Sequence, residues 1–500
     1  MKKCCALLLV VCSIFMFSQA WADPWALVTN LSGNPTPAPN PGDPDVQHPG
    51  TIHTIDLAPT PPRVHGPFLE DQLYLPPDPI PPEGAPGGGL LDARAVMVPG
   101  SVYGLVSDFG DSLIFKINLL DPLNPILEGS LDIGMFAEDI AVTREGSLAL
   151  VTDGGLASNV AMINLTTFTL NALVPLEVDD DGNPATPPVS VDGQAVAIAP
   201  DNRTVLFADY LGGQIHYGLI NATKDGFESL QSIPLCTEPL VDDDMDPLTP
   251  PVCQAFKGWP VNVTISPDGA TALVANAFCG AVWVLHITGP GTVEPGTPFF
   301  LDGLPGGFVD DPVGTPDTCH RIGEGGVQLQ AGGNQSIAFS SDGYRAFVTS
   351  QIPDDYDGET LISFNPDQLS LLSITGPGQV SIAIAGAADL LSNTSGQFFG
   401  VDTLAITPDG RYALTGNPTS FGEENEPLGI PGLSRNVSLV NLQTFEVTAL
   451  ATDSNHPTGI SIFSPRAFMI PVMTPWGMAA FVLIITLIAF YYLRRRQSAY

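Results

Sequence analysis

The sequence predicts an all-β fold, a seven-bladed β-propeller, from a repeated segment, from its turns and from the two ends of the repeated region. Five segments align without gaps over 15 residues, and each reads as a strand, a short turn and a second strand. They begin at Ile140, Val196, Val263, Ile337 and Leu404. A Pro-Asp-Gly type of turn joins the two strands, because Pro presets φ and Gly accepts a positive φ.

A third strand is expected after most copies of this repeat. The candidates are NVAMINL from Asn159, AVWVLHI from Ala281, LISFNP from Leu361 and NVSLVNL from Asn436. A sixth and weaker copy runs from Ala93 to Asp108 and is followed by SLIFKINL.

The seventh blade is divided between the two ends of the repeated region. WALVTN from Trp25 and TIHTIDL from Thr51 resemble second and third strands that lack a first strand, and PTGISIF from Pro457 supplies it. Closing a ring with strands from both termini removes exposed sheet edges. A solenoid or a sandwich of similar strands is the alternative architecture.

Two sequence signatures within the repeats resemble a known family. SPDG followed by ALVAN, and ALVTN followed by IDLAPT, are similar to the repeats of YVTN-type propellers, which belong with lactonase-like and surface-layer propellers. The resemblance covers most of residues 25–465 and implies the propeller fold. It implies little about activity, because propellers support binding as well as many chemistries.

The composition describes an acidic, turn-rich globular protein. The chain has 17 Lys and Arg against 53 Asp and Glu, a formal net charge of −36, 49 Pro and 51 Gly. This charge excludes nucleic acid as a partner, since affinity for phosphate backbones comes from clustered Lys and Arg. The 44% of hydrophobic residues can build a large core.

The N-terminus has the pattern of a secretory signal peptide. Lys2 and Lys3 precede an apolar run from Cys4 to Phe17, and Ala20-Trp21-Ala22 provides a cleavage site. We therefore assign residues 1–22 to the signal peptide and residues 23–465 to the propeller ectodomain. A membrane anchor is the alternative, although the apolar run is short for one.

The C-terminus predicts a membrane anchor. Residues 478–493 carry no charge and form the expected transmembrane helix, which is preceded by a linker at 466–477 and followed by a cytoplasmic basic tail at 494–500. The arginines of that tail favour a cytoplasmic location, so that the ectodomain faces outward.

The same tail resembles the IPTL-CTERM sorting signal, found on exosortase-type substrates of Gram-negative bacteria. The matching residues are Ile470, Pro471, Trp476, Gly477 and the cluster Arg494, Arg495 and Arg496, whereas Val472, Met473 and Thr474 depart from the family pattern. The resemblance implies a sortase-like processing enzyme as a partner. It also implies an inner-membrane precursor with a periplasmic ectodomain, which is then released to the cell surface or secreted. A simple anchor without processing is the other interpretation.

Three acidic loops are candidate calcium sites. Calcium takes six to eight oxygen ligands from carboxylates and carbonyls in flexible loops, and these loops are rich in such oxygens. The candidate ligands are Asp179, Asp180, Asp181, Asp242, Asp243, Asp244, Asp246, Asp354, Asp355, Asp357 and Glu359. None of the loops has the full calcium-loop pattern, so solvated acidic turns remain the alternative. The long insertions that carry them are expected to map to one face of the propeller.

Four cysteines remain after removal of the signal peptide, and an even number in an exported protein indicates disulfides. Of the three possible pairings we favour Cys236–Cys253 and Cys279–Cys319, with a zinc site as the alternative. The first pairing would close the loop that carries the second acidic insertion.

No catalytic motif occurs in the sequence, and we assign no catalytic residue. The histidines are scattered, and His320-Arg321 lies in a long insertion with Asp317 and Glu324 nearby. The first functional hypothesis is therefore a non-enzymatic binding or scaffold propeller of the cell envelope, with a protein or glycan ligand and possible assistance from calcium. The second is a lactonase-like hydrolase that uses a divalent metal in the propeller channel.

Overall fold

A computed structural model describes residues 24–30, 51–69, 73, 93–155, 159–176, 193–210, 212–235, 260–276, 281–296, 299–300, 334–350, 355–357, 360–363, 367–390, 403–416, 436–451, 457–464 and 486. Within these residues the chain forms seven antiparallel sheets and one small separate hairpin. The sheets are the blades of a propeller that belongs to the unit Asp23–Phe463.

The first half of the ring contains blades 1 to 4. Blade 1 contributes β1 (Trp25–Asn30), β2 (Thr51–Asp56) and β3 (Arg63–Phe68). Blade 2 consists of β4 (Ala95–Met97), β5 (Tyr103–Asp108), β6 (Leu113–Asn118) and β7 (Ile126–Asp132). Blade 3 consists of β8 (Ala137–Val142), β9 (Leu148–Asp153), β10 (Asn159–Asn164) and β11 (Thr169–Pro175). Blade 4 consists of β12 (Gly193–Ile198), β13 (Thr204–Asp209), β14 (Gln214–Ile220) and β15 (Phe227–Pro234).

The second half contains blades 5 to 7 and the closing strand. Blade 5 consists of β16 (Pro260–Ile265), β17 (Thr271–Asn276), β18 (Ala281–Gly289), β19 (Thr292–Pro295) and the short β20 (Phe299–Phe300). Blade 6 consists of β21 (Asn334–Phe339), β22 (Arg345–Ser350), β25 (Gln368–Gly376) and β26 (Gln379–Asp389), with the hairpin β23 (Asp355–Asp357) and β24 (Thr360–Ser363) between its second and third strands. Blade 7 consists of β27 (Leu404–Ile406), β28 (Tyr412–Gly416), β29 (Asn436–Asn441) and β30 (Val447–Ala451), and β31 (Pro457–Phe463) follows it.

Strands from both ends of the repeated region close the ring, as the sequence predicts. β31 pairs antiparallel with β1, with Phe463 opposite Trp25, and β1 pairs with β2 on its other side. β31 is therefore the innermost strand of blade 1 and lies between the innermost strands β27 and β4 of the neighbouring blades. This pairing confirms the prediction of seven blades with one blade divided between the termini.

The hydrophobic core is divided among the seams between blades. In the described part of the chain, each of the seven seams has a cluster of buried side chains contributed by two adjacent blades. Ala26 and Val28 of blade 1 pack with Leu414 and Val437 of blade 7, so the closing seam is as apolar as the others. Burial of these side chains stabilises the ring without a single central core.

One of the expected third strands is wrong. The segment from Leu361 was expected to be the third strand of blade 6, but it forms β24, which pairs only with β23. The third strand is β25. It pairs with every residue of β22, from Arg345 opposite Ser373 to Ser350 opposite Gln368. The expected third strands at Asn159, Ala281 and Asn436 are confirmed as β10, β18 and β29.

The two faces of the propeller differ in their connections. Because neighbouring strands are antiparallel, the links from first to second and from third to fourth strands emerge on one face, which we call the turn face. Its connections are short, such as 143–147, 199–203 and 266–270, and Gly269 accepts a φ of 75° there. The strand ends that flank the longest connections lie on the opposite face, which we call the loop face. The sequence therefore concentrates its insertions on one face.

Candidate functional site

The central channel opens on the loop face between the starts of the innermost strands. Several of these strands begin with a register shift, for example between Ala137 and Ile140 of β8 and between Gly193 and Ala195 of β12. A β-bulge of this kind adds a residue and re-aims side chains, and bulges occur frequently beside functional sites. In β8 the extra residue brings two consecutive acids, Glu138 and Asp139, to the channel mouth.

Some polar side chains at the mouth join one inner strand to the next. Asp139 Oδ2 accepts a hydrogen bond of 2.9 Å from the backbone N–H of Val196 in the neighbouring blade. Thr403 Oγ1 accepts one of 3.0 Å from the backbone N–H of Ile460, which lies across the closing seam. These side chains are engaged in holding the ring together, since they satisfy buried backbone donors.

A charged pair also lies at the channel mouth. The Arg94 guanidinium is 3.8 Å from Glu138 Oε1 and donates a hydrogen bond of 3.0 Å to the carbonyl oxygen of Thr458. The side chain of Glu138 is only 4% exposed and that of Arg94 16% exposed. A pair removed from water in this way keeps its charges only because each ion has partners.

Buried carboxylates stand at the ends of three second strands on the loop face. Asp108, Asp153 and Asp209 end β5, β9 and β13, and all three are buried. Each accepts a hydrogen bond from a backbone N–H in the connection that follows, such as that from Gly155 to Asp153 Oδ1 at 2.9 Å. Acids at this repeated position therefore start the turn towards the third strand.

Two carboxyl groups on the loop face have raised pKa values. Burial raises the pKa of Asp153, although hydrogen bonds from the backbone N–H groups of Gly155, Phe136 and Asn159 lower it in part. Burial also raises the pKa of Asp111, which lies in the connection after β5. Titratable groups shifted by desolvation in this way are typical of functional sites.

An aromatic pair lies beside these acids. The rings of Phe109 and Phe136 stack with centroids 5.1 Å apart and an interplanar angle of 27°, and Phe136 is 47% exposed. A Cβ at Gly154 would lie 2.7 Å from the Phe109 ring and 2.5 Å from Glu138 Oε2. Only glycine at this position allows the aromatic pair and the carboxylate to approach the end of β9 together.

We define the blade 2–3 site as the group of loop-face residues at the seam between blades 2 and 3. Its members are Arg94, Asp108, Phe109, Phe136, Glu138 and Asp153. The site combines an exposed aromatic ring, buried acceptor oxygens and one guanidinium donor, which is the mixture found in small-molecule and saccharide pockets.

The predicted calcium ligands fall almost entirely outside the described residues. The residues outside them are Asp179, Asp180, Asp181, Asp242, Asp243, Asp244, Asp246, Asp354 and Glu359. Asp355 and Asp357 lie in the short strand β23. In the described part of the chain, no group of three or more His, Cys, Asp or Glu side chains is arranged to hold a metal ion.

The other predicted site residues also lie outside the described ranges. These are the cysteines 236, 253, 279 and 319, the signal peptide 1–22, the sorting residues 470, 471, 476, 477 and 494–496, and residues 317–324 around His320. Residue 486 is the one described position of the expected transmembrane segment. Among the residues that the structure describes, no helix is both long and apolar enough to cross a membrane.

No protein-family model matches the sequence, and neither does any curated protein. Solved structures do match. The periplasmic gluconolactonase of Pseudomonas aeruginosa superposes with a TM-score of 0.54 at 14% identity, covering 88% of this chain and 99% of that protein. A protein proposed to be a 6-phosphogluconolactonase from Bacteroides fragilis gives a TM-score of 0.50 at 13% identity, with 89% and 99% covered. This chain has the propeller fold of lactonase-like proteins.

The sequence did not indicate the blade 2–3 site. Its residues come from the ends and starts of strands that are close only in the folded ring. The one local signal was the acid that closes the second strand in SD at 107–108 and TD at 152–153, which recurs as Asp209 in one further copy.

Proposed function

We propose that this protein is an exported binding propeller that recognises a glycan at the blade 2–3 site of its loop face. The observation that carries this proposal is the exposed ring of Phe136, stacked on Phe109 next to buried carboxylates and Arg94. A sugar ring offers an apolar C–H face to an aromatic side chain and hydroxyl groups to carboxylate acceptors and guanidinium donors. Each kind of group is present in the site.

Binding of oligosaccharides to the full-length protein by calorimetry, after a screen on immobilised glycans, tests this proposal. Phe136→Ala should weaken binding about tenfold or more, because a central aromatic contact carries more than 1 kcal/mol in most interfaces. The matched control is Leu173→Ala, since Leu173 is an exposed apolar residue of similar exposure, 43%, on the outer strand β11. Equal affinity of Phe136→Ala and wild type would contradict the proposal.

A lactonase-like hydrolase is the second candidate, and the Arg94–Glu138 pair favours it. Glu138 could take a proton from water as that water attacks the lactone carbonyl, and Arg94 could stabilise the negative charge that develops on the carbonyl oxygen. The structural likeness to a periplasmic gluconolactonase is compatible with this chemistry.

A panel of sugar lactones, assayed with and without added divalent metals, tests the second candidate. Glu138→Gln should reduce turnover about 100-fold or more if Glu138 is the general base. The matched control is Glu128→Gln, because Glu128 is an exposed acid of the outer strand β7. No turnover of any lactone with any metal would contradict the hydrolase.

We further propose that the chain is exported and that its C-terminal tail is processed. The signal-peptide pattern at 1–22 and the sorting-tail residues Ile470, Pro471, Trp476 and Gly477 support this. Intact-mass measurement of the surface or secreted protein should show loss of about residues 1–22 at one end and of the segment after about residue 470 at the other. A full-length tail in every fraction would contradict processing.

Calcium binding by the acidic loops is a separate proposal. Titration of chelator-treated protein with calcium should give saturable heat and a raised melting temperature. Replacing Asp242, Asp243 and Asp244 by Asn should remove part of that signal, whereas the same treatment of the blade 2–3 site should not. The absence of both heat and a melting shift would leave these loops as solvated acidic turns.

A further inference from the structure

Blade 4 contains a serine, a histidine and an aspartate in hydrogen-bonded series. Ser232 Oγ lies 2.8 Å from His216 Nδ1, and His216 Nε2 lies 3.3 Å from Asp209 Oδ2. The three residues come from three adjacent strands, β15, β14 and β13. We propose that Ser232, His216 and Asp209 form an acyl-transfer site in which Ser232 is the nucleophile and the substrate is a small uncharged carboxylic ester.

One tautomer of His216 fits the proposed roles. With the N–H on Nε2, the imidazole donates to Asp209 Oδ2 at 3.3 Å, and the amide nitrogen of Gln214 lies 3.4 Å from the same Nε2. Nδ1 then presents its lone pair to the hydroxyl of Ser232. This is the arrangement that a general base needs in order to activate a serine.

Asp209 is held in place by donors on its other side. Its Oδ1 accepts a hydrogen bond of 2.8 Å from the Gly212 N–H, and its Oδ2 accepts one of 3.1 Å from Gln214 Nε2. Asp209 is 0% exposed and His216 is 2% exposed, whereas Ser232 is exposed. The base and its orienting carboxylate are therefore buried, while the nucleophile faces solvent.

The strand register also supplies a donor for the oxyanion. The Leu235 N–H donates to the Gly213 carbonyl, and hydrogen-bonded pairs alternate with non-bonded pairs in an antiparallel ladder. The pair His216 and Ser232 is therefore a non-bonded pair, in which side chains lie closest and the backbone N–H groups point away from the partner strand. β15 is the edge of its sheet, so the N–H of Ser232 points outward beside its own hydroxyl.

The proposed reaction passes through an acyl-serine. Ser232 Oγ attacks the acyl carbon while its proton moves to His216 Nδ1, the bond to the ester oxygen breaks, and the alcohol leaves with that proton. Water then attacks the acyl-serine in the same way and releases the acid. The net charge of −36 disfavours anionic esters, which is why the substrate is uncharged.

Blade 1 shows that this arrangement is not a requirement of the fold. His53 occupies the position of His216, since it lies opposite Val28 as His216 lies opposite Phe207. Its partner is Asn30, whose Nδ2 is 2.8 Å from His53 Nδ1, and the strand β3 places Gly66 and Pro67 near it, where blade 4 has the hydroxyl. A histidine at this position therefore folds with an asparagine, Asn30, in the place of Asp209 and with Gly66 and Pro67 in the place of Ser232.

A fluorophosphonate probe tests the proposal on the full-length protein. The probe should form a phosphorus–oxygen bond with Ser232 as fluoride leaves, and peptide mass spectrometry should find the adduct on β15. Ser232→Ala should lose the adduct and should hydrolyse 4-nitrophenyl acetate at the uncatalysed rate. The control Ser229→Ala lies on the same strand, opposite Leu219 rather than a histidine, and should keep both activities.

Asp209→Asn provides a second variant that is compatible with the fold, because Asn30 occupies the same position in blade 1. It should lower the rate of labelling about 100-fold or more, since an amide no longer orients the imidazole as the base. Absence of an adduct at Ser232, or labelling of Asp209→Asn at the wild-type rate, would overturn the proposal and leave the three residues as a structural link between strands.

Discussion

Aspartates on the two faces of the propeller have pKa values that are shifted in opposite directions. On the turn face, the hydroxyl groups of Ser266 and Ser340 hold the pKa values of Asp268 and Asp342 below their usual range. On the loop face, burial raises the pKa values of Asp111 and Asp153. The first group stabilises the folded state when ionised, whereas the second is destabilising when ionised.

This difference indicates that the turn face contributes to folding, whereas the loop face carries the sites that bind or react. Short and regular turns satisfy their polar groups locally, so an acid there contributes to folding. The loop face keeps desolvated carboxyl groups beside an exposed aromatic ring, and such a cost persists at sites that bind or react. Substitutions on each face test this division.

Removing a buried turn hydroxyl should have the largest effect on stability. Thr407 is fully buried, and its Oγ1 lies 2.7 Å from Asp409 Oδ1 and 3.0 Å from the backbone N of Tyr412. Thr407→Val keeps the shape but removes the acceptor of the Tyr412 N–H and one of the donors to Asp409 Oδ1, which still accepts from the Arg411 N–H, so the free energy of unfolding should fall by about 2 kcal/mol. Urea denaturation measures this change.

The control for that variant is Thr444→Val. Thr444 is an exposed threonine in the connection between β29 and β30. Its replacement should change the free energy of unfolding by less than about 0.5 kcal/mol. Similar losses for the two variants would mean that the turn hydroxyl has no special role.

Neutralising one acid on each face should change stability in opposite directions. Asp153→Asn should raise the free energy of unfolding by about 1 kcal/mol at neutral pH, because the amide oxygen can still accept from Gly155 without the cost of a buried charge. Asp268→Asn should lower it by about 0.5 kcal/mol, a small value because Asp268 is exposed to solvent. A loss of stability in both variants would refute the division between the faces.

Much of the fold could be predicted from sequence, because each blade repeats the same strand, turn and strand. The closing strand at Pro457 could be found because blade 1 lacked its first strand. The prediction of the third strand of blade 6 was wrong, because the segment from Leu361 and the strand β25 both have strand-like alternation. Only the pairing with β22 decides between them.

The sites depended on contacts that no local pattern records. Arg94 and Glu138 meet across two blades, and the bulge at the start of β8 is a property of the ladder. His216 looked like one of several scattered histidines, although the register of β14 and β15 brings it opposite Ser232. In the sequence, only an alignment of β14 and β15 as the two strands of a hairpin could have placed His216 opposite Ser232.

The pH dependence of stability should separate the two faces further. The raised pKa of Asp153 means that its stabilising contribution is present below its unfolded-state pKa and is lost as the pH rises through the folded pKa. Asp153→Asn should therefore gain more stability at pH 7 than at pH 4, relative to wild type. Denaturation at both pH values measures this difference, and an equal gain at both would contradict it.

Asp342 should give the opposite pH dependence. Its pKa is lowered, so its stabilising contribution is present above the unfolded-state pKa and is lost as the pH falls through the folded pKa. The deficit of Asp342→Asn should thus be seen at pH 7 and should shrink in acid. The same series of denaturation curves provides this comparison, and a deficit that grows in acid would contradict it.

The ion pair between Glu145 and Lys224 should give the smallest effect. It joins the turn face of blades 3 and 4, and both side chains are substantially exposed, at 47% and 34%. Glu145→Gln should lower the free energy of unfolding by only about 0.3 kcal/mol, and the difference should vanish in 1 M salt, where the Debye length is about 3 Å. Glu446→Gln, at an exposed acid of the same face, serves as the control. A loss above about 1 kcal/mol that survives high salt would show that ion pairs between blades stabilise this face as much as its buried hydroxyl groups. A small and salt-sensitive loss would assign that role to Thr407 and its counterparts in the other turns.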